Sequence, residues 1–348
     1  MILEKTAVAA EASSGGAGLL SSQAHTDEPG PLFDLKLASR SLYPGLADEL
    51  RERTDMDIEY RRMGHVVPAF SEDAARAVRA RVAWQADRGL PAHWLTTAEA
   101  RELEPGLPQS VHGAGWFPED HHINSTAMTQ ALAGAMIRLG GQVRVECTVT
   151  GLVRDGNRIT GIHTAAETIP AGEVVVAAGA WSGQFEAAVG IPLPVFPAKG
   201  QIVVARLPQP ALRHVVYEEI YVIPRAMGEH IIGSTVEYVG YDKRVTIEAV
   251  AGLLGGATRL APALGDAEMV SSYGCLRPGS PDGLPLLGRV PARPGVIVAT
   301  GHFRNGILLS PITGTLIADL IVKGQTTMPL TPFRPGRPFP AAPLPLGQ

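Results

Sequence analysis

The run VVVAA at residues 174–178, followed at once by Gly179, constrains the fold more than any other stretch of this chain. Five apolar residues with no polar alternate read as a parallel strand covered on both faces. Gly179 then falls at a strand's carboxyl end, where parallel sheets place ligand contacts. A second buried strand, 296–299, runs into Gly301-His-Phe-Arg-Asn-Gly306 and a final helix. Residues 200–237 instead show the alternation of several antiparallel strands, so parallel and antiparallel layers coexist. Met1-Ile2-Leu3, ahead of Glu4, reads as the end of another buried strand.

Helix signals are local and clear. Pro31 opens a helix to about residue 53, with Leu32, Leu35, Leu42, Leu46 and Leu50 near one face and Pro44 expected to kink or divide it. Ser71 ahead of Glu72 and Asp73 starts a helix that Gly89 ends, and Thr96 with Glu99 forms a capping-box pattern. Residues 125–139 are helical up to the Gly140-Gly141 pair, and 247–264 form a helix rich in small residues. The Pro-rich tail begins near Met328, and its last nine residues are expected to be disordered.

Charge and cysteine usage narrow the function classes. Thirty Lys and Arg against 34 Asp and Glu give a net charge of −4 with no basic block, which disfavours nucleic acid and anionic membrane as partners. Cys147 and Cys275 are far apart, with no CxxC, so a zinc ribbon or disulfide scaffold is excluded and a reducing compartment suits the chain. The apolar stretch 307–322 contains Ser310, Pro311, Thr313, Thr315 and Asp319 and reads as a buried amphipathic helix rather than a membrane span. No basic n-region precedes an apolar core at the N-terminus, so no signal peptide is read and cytoplasm is expected. Pro118-Glu-Asp-His-His122 has metal-ligand residue types, but adjacent residues of an extended chain point to opposite faces, so a loop near a domain boundary is the expectation. Cys275 is expected to be a buried small hydrophobe.

Seven segments in order resemble the glycine and D-amino acid oxidase family of FAD enzymes. They are LEK at 3–5, ASSGGAG at 12–18, DEPGPLFDLKLASRSLYPGLADEL at 27–50, VVAAGAWSG at 175–183, YVIPR at 221–225, LRPGSPDGLPLLG at 276–288 and GHFRNGILLSPITGTLIADLI at 301–321. The resemblance covers residues 1 to about 335 and is strongest to the glycine oxidases of thiazole biosynthesis. It implies an α/β fold: a Rossmann-like FAD-binding domain from residues 1–42, 118–182 and 283–330, interleaved with an α+β substrate domain, containing an antiparallel sheet, from 43–117 and 183–282, with 331–348 as tail.

The resemblance also assigns residues. Glu4 matches the carboxylate that accepts from the adenosine ribose hydroxyls; Ser13, Ser14, Gly16, Gly18 and Leu19 match the loop along pyrophosphate and flavin, and Val149 the residue at the adenine. His302, Asn305, Gly306, Ile307 and Leu308 match the flavin contacts at a helix tip, whose free N–H groups favour negative charge. Arg277 matches the arginine that pairs with the substrate carboxylate through a planar fork, Tyr221 a tyrosine whose hydroxyl meets substrate, and Arg304 an arginine at the rim. The implied reaction passes a hydride from the α-carbon of glycine or a small amino acid or amine to flavin N5, hydrolyses the imine and returns electrons to dioxygen as peroxide. A homo-oligomer is implied as well. A D-amino or imino acid dehydrogenase feeding a quinone and a non-catalytic truncated homologue are the alternatives.

The chain departs from the family in one respect. It contains no GxGxxG; Gly15-Gly16-Ala17-Gly18 has neither that spacing nor a preceding strand. Since the acidic residue follows the glycine turn by about 20 residues, the expectation is that the first strand and turn belong upstream of Met1, and that the polypeptide as given retains flavin poorly.

Overall fold

The computed structural model describes residues 1–340, so the expected disorder at the end of the tail falls, but for Pro340, outside the described residues. Eight α-helices are present among these residues: α1 (Ala12–Gly15), α2 (Pro31–Thr54), α3 (Glu72–Ala86), α4 (Thr97–Leu103), α5 (Ser125–Arg138), α6 (Glu186–Val189), α7 (Ile247–Leu260) and α8 (Gly306–Val322). Their starts follow the local chemistry. Ser71 accepts from the Ala74 N–H at 3.2 Å, and Thr96 and Glu99 close a reciprocal capping box. Asn124 caps α5 by accepting from Ala127 N–H at 3.1 Å.

Two expectations for α2 are corrected. Pro44 does not divide the helix. It lies on the exposed side, where the carbonyl it frees can bind water. The buried stripe is Phe33, Leu35, Lys36, Ser39, Tyr43, Ala47 and Leu50, whereas Leu42 is 37% exposed. Tyr43, fully buried, rather than leucine fills the centre of that face.

Eighteen strands make five sheets. The largest, of eight strands, is ordered β16 (Glu268–Gly279), β12 (Phe196–Arg206), β15 (Glu229–Gly233), β14 (Tyr221–Pro224), β13 (Val215–Tyr217), β3 (His65–Ala69), β5 (Gly113–Phe117) and β4 (His93–Leu95). Its pairs are antiparallel except β13 with β3. Two small sheets carry the other parallel pairs: β1 (Ile2–Leu3) with β7 (Val143–Arg144), and β11 (Val174–Val176) with β18 (Val296–Thr300), which also takes β17 (Leu286–Arg289) antiparallel. The remainder are the meander β8 (Val149–Asp155), β9 (Arg158–Thr164), β10 (Thr168–Pro170) and the short pair β2 (Leu19–Leu20) with β6 (His121–His122).

The expectations that residues 174–178 are covered on both faces and that Ile2-Leu3 end a buried strand need correcting. β11 pairs on one side only and Val175 is 38% exposed; β1 likewise pairs only with β7 and Ile2 is 49% exposed. Each leaves an unpaired parallel edge, so its apolar residues are partly wet.

Alternation along the large sheet separates two faces. Val203, Ala205, Ile232, Val222, Val216 and Val66 point to one face and pack with Leu253, Ala257 and Leu260 of α7 and Ala100 of α4. Ile202, Tyr221, Ile223 and Val215 point to the other, against Ala17 and Leu19. The segment Phe303–Val322 is long and apolar enough to cross a membrane, but Leu308, Leu309, Ile312 and Leu316 are buried and the Leu308 carbonyl accepts from Ser39 Oγ at 2.6 Å.

Candidate functional site

On β16 the alternate residues Tyr273, Cys275 and Arg277 share that second face. Cys275 is 5% exposed and its thiol donates to the Gly15 carbonyl at 3.2 Å. The approach is so close that a Cβ on Gly15 would overlap the Cys275 Cβ. Burial pushes the Cys275 thiol up, so it is held neutral, as a small hydrophobe should be. The next residue, Gly16, abuts Ile307 at the tip of α8. Loop 12–18 therefore joins the strand of Arg277 to the helix of Gly306, and the two lie on one side of the molecule.

Arg277 lies flat over Gly200 of β12, donating from Nη1 to the Thr235 carbonyl (3.1 Å) and from Nη2 to Ser234 Oγ (2.6 Å). Tyr221 is 7% exposed, and burial pushes its phenol well above the usual range despite Arg277 and Ser234 nearby. It stays a protonated donor. Tyr217 stands edge-on to Tyr221 at 5.5 Å, and His25 lies 3.3 Å from Tyr217, ring centre to ring centre. Arg304 is exposed, its guanidinium 5.7 Å over the Phe303 ring.

The α8 tip has no side-chain cap: Asn305 occupies the N-cap position without bonding the first-turn N–H groups. These groups supply partial positive charge. A Cβ on Gly306 would meet only the His302 Cβ, at 3.6 Å, and one on Gly179 would meet nothing within 4 Å. Open room thus lies beside the backbone just past the carboxyl ends of parallel β11 and β18. His302 is turned inward, bonded to Thr313 Oγ1 at 3.0 Å, and burial lowers its imidazole to about 4. The Ile307 carbonyl accepts from the Tyr43 hydroxyl, which anchors the tip to α2.

The remaining residues named from sequence fall into two groups. Leu19 packs with the Tyr221 cluster and pairs with His122. Gly18 is in the same loop, its carbonyl accepting from Ile123 N–H at 2.9 Å. Ser13 and Ser14 sit in α1; Ser14 Oγ donates to the Glu11 carbonyl at 3.1 Å and borders a cleft of about 500 Å³ with Gly16, Arg225 and Tyr273. That cleft does not include Arg277 or Tyr221; along β16, Cys275 against Gly15 stands between. Far from these, Glu4 and Val149 lie at neighbouring strand ends, with the Glu4 carbonyl accepting from Cys147 N–H at 2.9 Å. One Glu4 carboxylate oxygen already accepts from Thr6 N–H at 3.0 Å, leaving the other for a ligand.

An elongated cofactor with an anionic, acceptor-rich ring end fits what is present. The uncapped helix tip, the open backbone at Gly179 and Gly306, and the free Glu4 oxygen suit the flavin and ribose ends of FAD.

Sequence reasoning missed several residues that build this corner. Arg225 ends the YVIPR segment, and its Nη2 donates to the Ala17 (2.9 Å) and Ile123 (2.8 Å) carbonyls, stapling the loop to β14. Asp120 lies in the turn between β5 and β6, as the loop reading has it, but it is fully buried and accepts from Ser22 N–H (2.8 Å), Ser22 Oγ (2.7 Å), Gln23 N–H (3.1 Å) and Ala24 N–H (2.7 Å). Its neighbours His121 and His122 are buried in β6 rather than set out in a loop. Asp120's signal, two adjacent acidic residues followed by two histidines, resembled a metal motif and gave no hint of its backbone partners.

Comparison with known proteins places this geometry. The family model described as FAD dependent oxidoreductase, DAO, matches residues 1–320. A glycine oxidase of Geobacillus kaustophilus is 38% identical over 335 residues, 95% of this chain and 89% of that protein. Its crystal structure superposes with a TM-score of 0.94, covering 97% of this chain and 92% of the other. The bifunctional protein ThiO/ThiG of Nostoc sp. is 35% identical over 94% of this chain, which spans 50% of that longer protein.

Proposed function

The chain belongs to the DAO family of FAD-dependent oxidoreductases, and we propose that its reaction is the oxidative deamination of glycine or another small amino acid or amine. The observation that carries this reading is the corner in which Arg277 and Tyr221 are joined, through the Gly15–Cys275 and Gly16–Ile307 contacts, to the uncapped tip of α8.

FAD, when bound, accepts two electrons from the substrate's α-carbon–hydrogen bond and passes them to dioxygen, giving hydrogen peroxide. The chain's own groups position and select. Arg277 keeps further N–H donors beyond those given to Ser234 and Thr235, and these pair with the substrate carboxylate. Tyr221, kept protonated by burial, donates a hydrogen bond and cannot act as a base near neutral pH. The amine therefore has to enter neutral, and orientation is the protein's main contribution to rate. The N–H groups of Gly306, Ile307 and Leu308 favour negative charge at the α8 tip. Glu4, Ser13, Ser14, Gly16, Gly18, Leu19, Val149, His302 and Asn305 complete the proposed cofactor contacts, with Arg304 at the rim. The imine product hydrolyses in water to an oxo acid.

A role in thiazole formation for thiamine, a cytoplasmic location and a homo-oligomeric state belong to the same proposal; the ThiO/ThiG likeness supports the first. The test is the purified holoenzyme given glycine, sarcosine or D-alanine in air. Stoichiometric peroxide with at least one of them is the expected result. Electron transfer to a quinone analogue but not to dioxygen would instead make the protein a dehydrogenase.

A further inference from the structure

The groups that seat Arg277 belong to one segment, residues 234–246, which leaves β15 and leads into α7. Ser234 Oγ and the Thr235 carbonyl take two of the guanidinium's hydrogen bonds. Farther along, the Tyr241 hydroxyl donates to the Ala180 carbonyl at 3.1 Å, beside the open backbone at Gly179. Lys243 pairs with Glu11, ahead of α1, at 3.0 Å. The segment thus runs from Arg277 to the proposed cofactor side. It belongs to no helix or strand, so its backbone and its position need other partners.

A buried ion pair supplies them. Lys199, on β12 next to Gly200, is 2% exposed, and its Nζ lies 2.7 Å from Glu237 Oε2. The same Nζ donates to the Arg244 carbonyl at 3.1 Å. Lys199 and Glu237 also exchange backbone hydrogen bonds of 2.8 and 2.9 Å. Glu237 Oε1 accepts from the Thr235 hydroxyl at 2.5 Å and from Gln201 Nε2 at 2.7 Å. Gln201 N–H donates to Thr235 Oγ1 at 3.0 Å, and Gln201 Oε1 accepts from Thr246 N–H at 2.8 Å. Two residues of β12 therefore hold positions 235, 237, 244 and 246. Burial opposes ionisation of Glu237, but the hydrogen bonds from Lys199, Thr235 and Gln201 outweigh it and hold its carboxyl below the usual range. A buried ion pair is often no more stabilising than apolar residues of the same volume, but it can fix one geometry.

We propose that Lys199 and Glu237 are positioning residues for Arg277: acting through Thr235, they hold the guanidinium where it meets the substrate carboxylate. The proposal deepens the oxidase reading and rests on it for turnover, though not for carboxylate binding.

The experiment uses the full-chain holoenzyme, with acetate binding read by calorimetry and glycine turnover by peroxide release. Lys199→Met and Glu237→Gln should each weaken acetate by about tenfold, less than the roughly hundredfold cost of a 1 Å misplacement. KM for glycine should rise by a similar factor while kcat and bound FAD stay within about twofold of the parent. The direction of the shifts separates positioning from simple charge. Lys199→Met removes a positive charge and Glu237→Gln a negative one, so through-space attraction alone would weaken acetate in the first and strengthen it in the second. Opposite shifts overturn the proposal, as does an unchanged acetate constant in a folded variant. A fall in kcat and bound FAD as large as the loss of acetate affinity overturns it too, since that marks general damage to the fold. If Lys199→Met does not fold, Glu237→Gln, at the more exposed end of the pair, decides alone, because lost charge would tighten acetate there. A parent that binds no acetate refutes the carboxylate role of Arg277 and this proposal with it. Acetate weakened by both substitutions, with no amine oxidised by the parent, supports the positioning pair and refutes the oxidase reading.

Discussion

Gly200→Ala tests the carboxylate-binding role without removing a charge. A Cβ at position 200 would overlap Nη1, Nη2 and Cζ of Arg277 and meets no other group so closely. Backbone strain is absent, because Gly200 is not in the left-handed region. Contact at a normal separation of about 3.5 Å therefore requires the guanidinium to retreat by roughly 1 Å or more. That movement breaks the bonds to Ser234 Oγ and the Thr235 carbonyl. A displacement of this size at a substrate-positioning group costs on the order of a hundredfold, or about 2.7 kcal/mol. Stability should not fall in parallel, since Ala in place of Gly at a permissive position restricts the unfolded chain and contributes about 0.4–1 kcal/mol. The assay is KM for glycine by peroxide release, alongside the urea midpoint of the same preparation. A KM within about twofold of the parent, with the midpoint unchanged, would show that the guanidinium's seat over Gly200 does not matter to binding.

Removing the charge outright, Arg277→Ala should cost roughly 2–5 kcal/mol of substrate binding; an unchanged KM would take Arg277 out of the role. Asp120→Asn turns an amide N–H₂ toward donors that now meet a carboxylate, and should lower unfolding stability by about 3 kcal/mol or more; an unaltered urea midpoint would refute the anchor. Burial holds His302 and His121 at about 4 and His122 at about 3, each below the ordinary 6.5. The unfolded chain then binds more protons than the fold across that window, so stability is complete above pH 6.5 and drops as pH falls toward the folded values. A melting temperature that stays level from pH 6.5 down to about 4 would contradict the burial of these rings.

What could be read without coordinates was whatever the chain encodes within a few residues. The caps at Ser71 and Thr96, the Gly140 stop and the apolar runs before Gly179 and Gly301 depend on neighbours three or four positions away. The chemistry of Arg277 and Gly306 was legible only through resemblance, because their proximity depends on Gly15 meeting Cys275, 260 positions later. Asp120 stayed hidden for the same reason, its donors lying 98 residues upstream. Leucine spacing misdirected the α2 stripe, since the pattern cannot tell that Tyr43 finds the Ile307 carbonyl and so prefers the interior. Val175 was assigned to the interior because a wholly apolar run cannot reveal how many partner strands it has.

The stitching of residues 15 and 16 to residues 275 and 307 also sets when the candidate site can come into being. Neither half can prefigure it as the ribosome extends the chain, because the last partner emerges only after most of the polypeptide has been made. Loop closure over such a span is slow relative to helix formation. Until it happens, the early loop and its hydrophobic neighbours are candidates for chaperone capture.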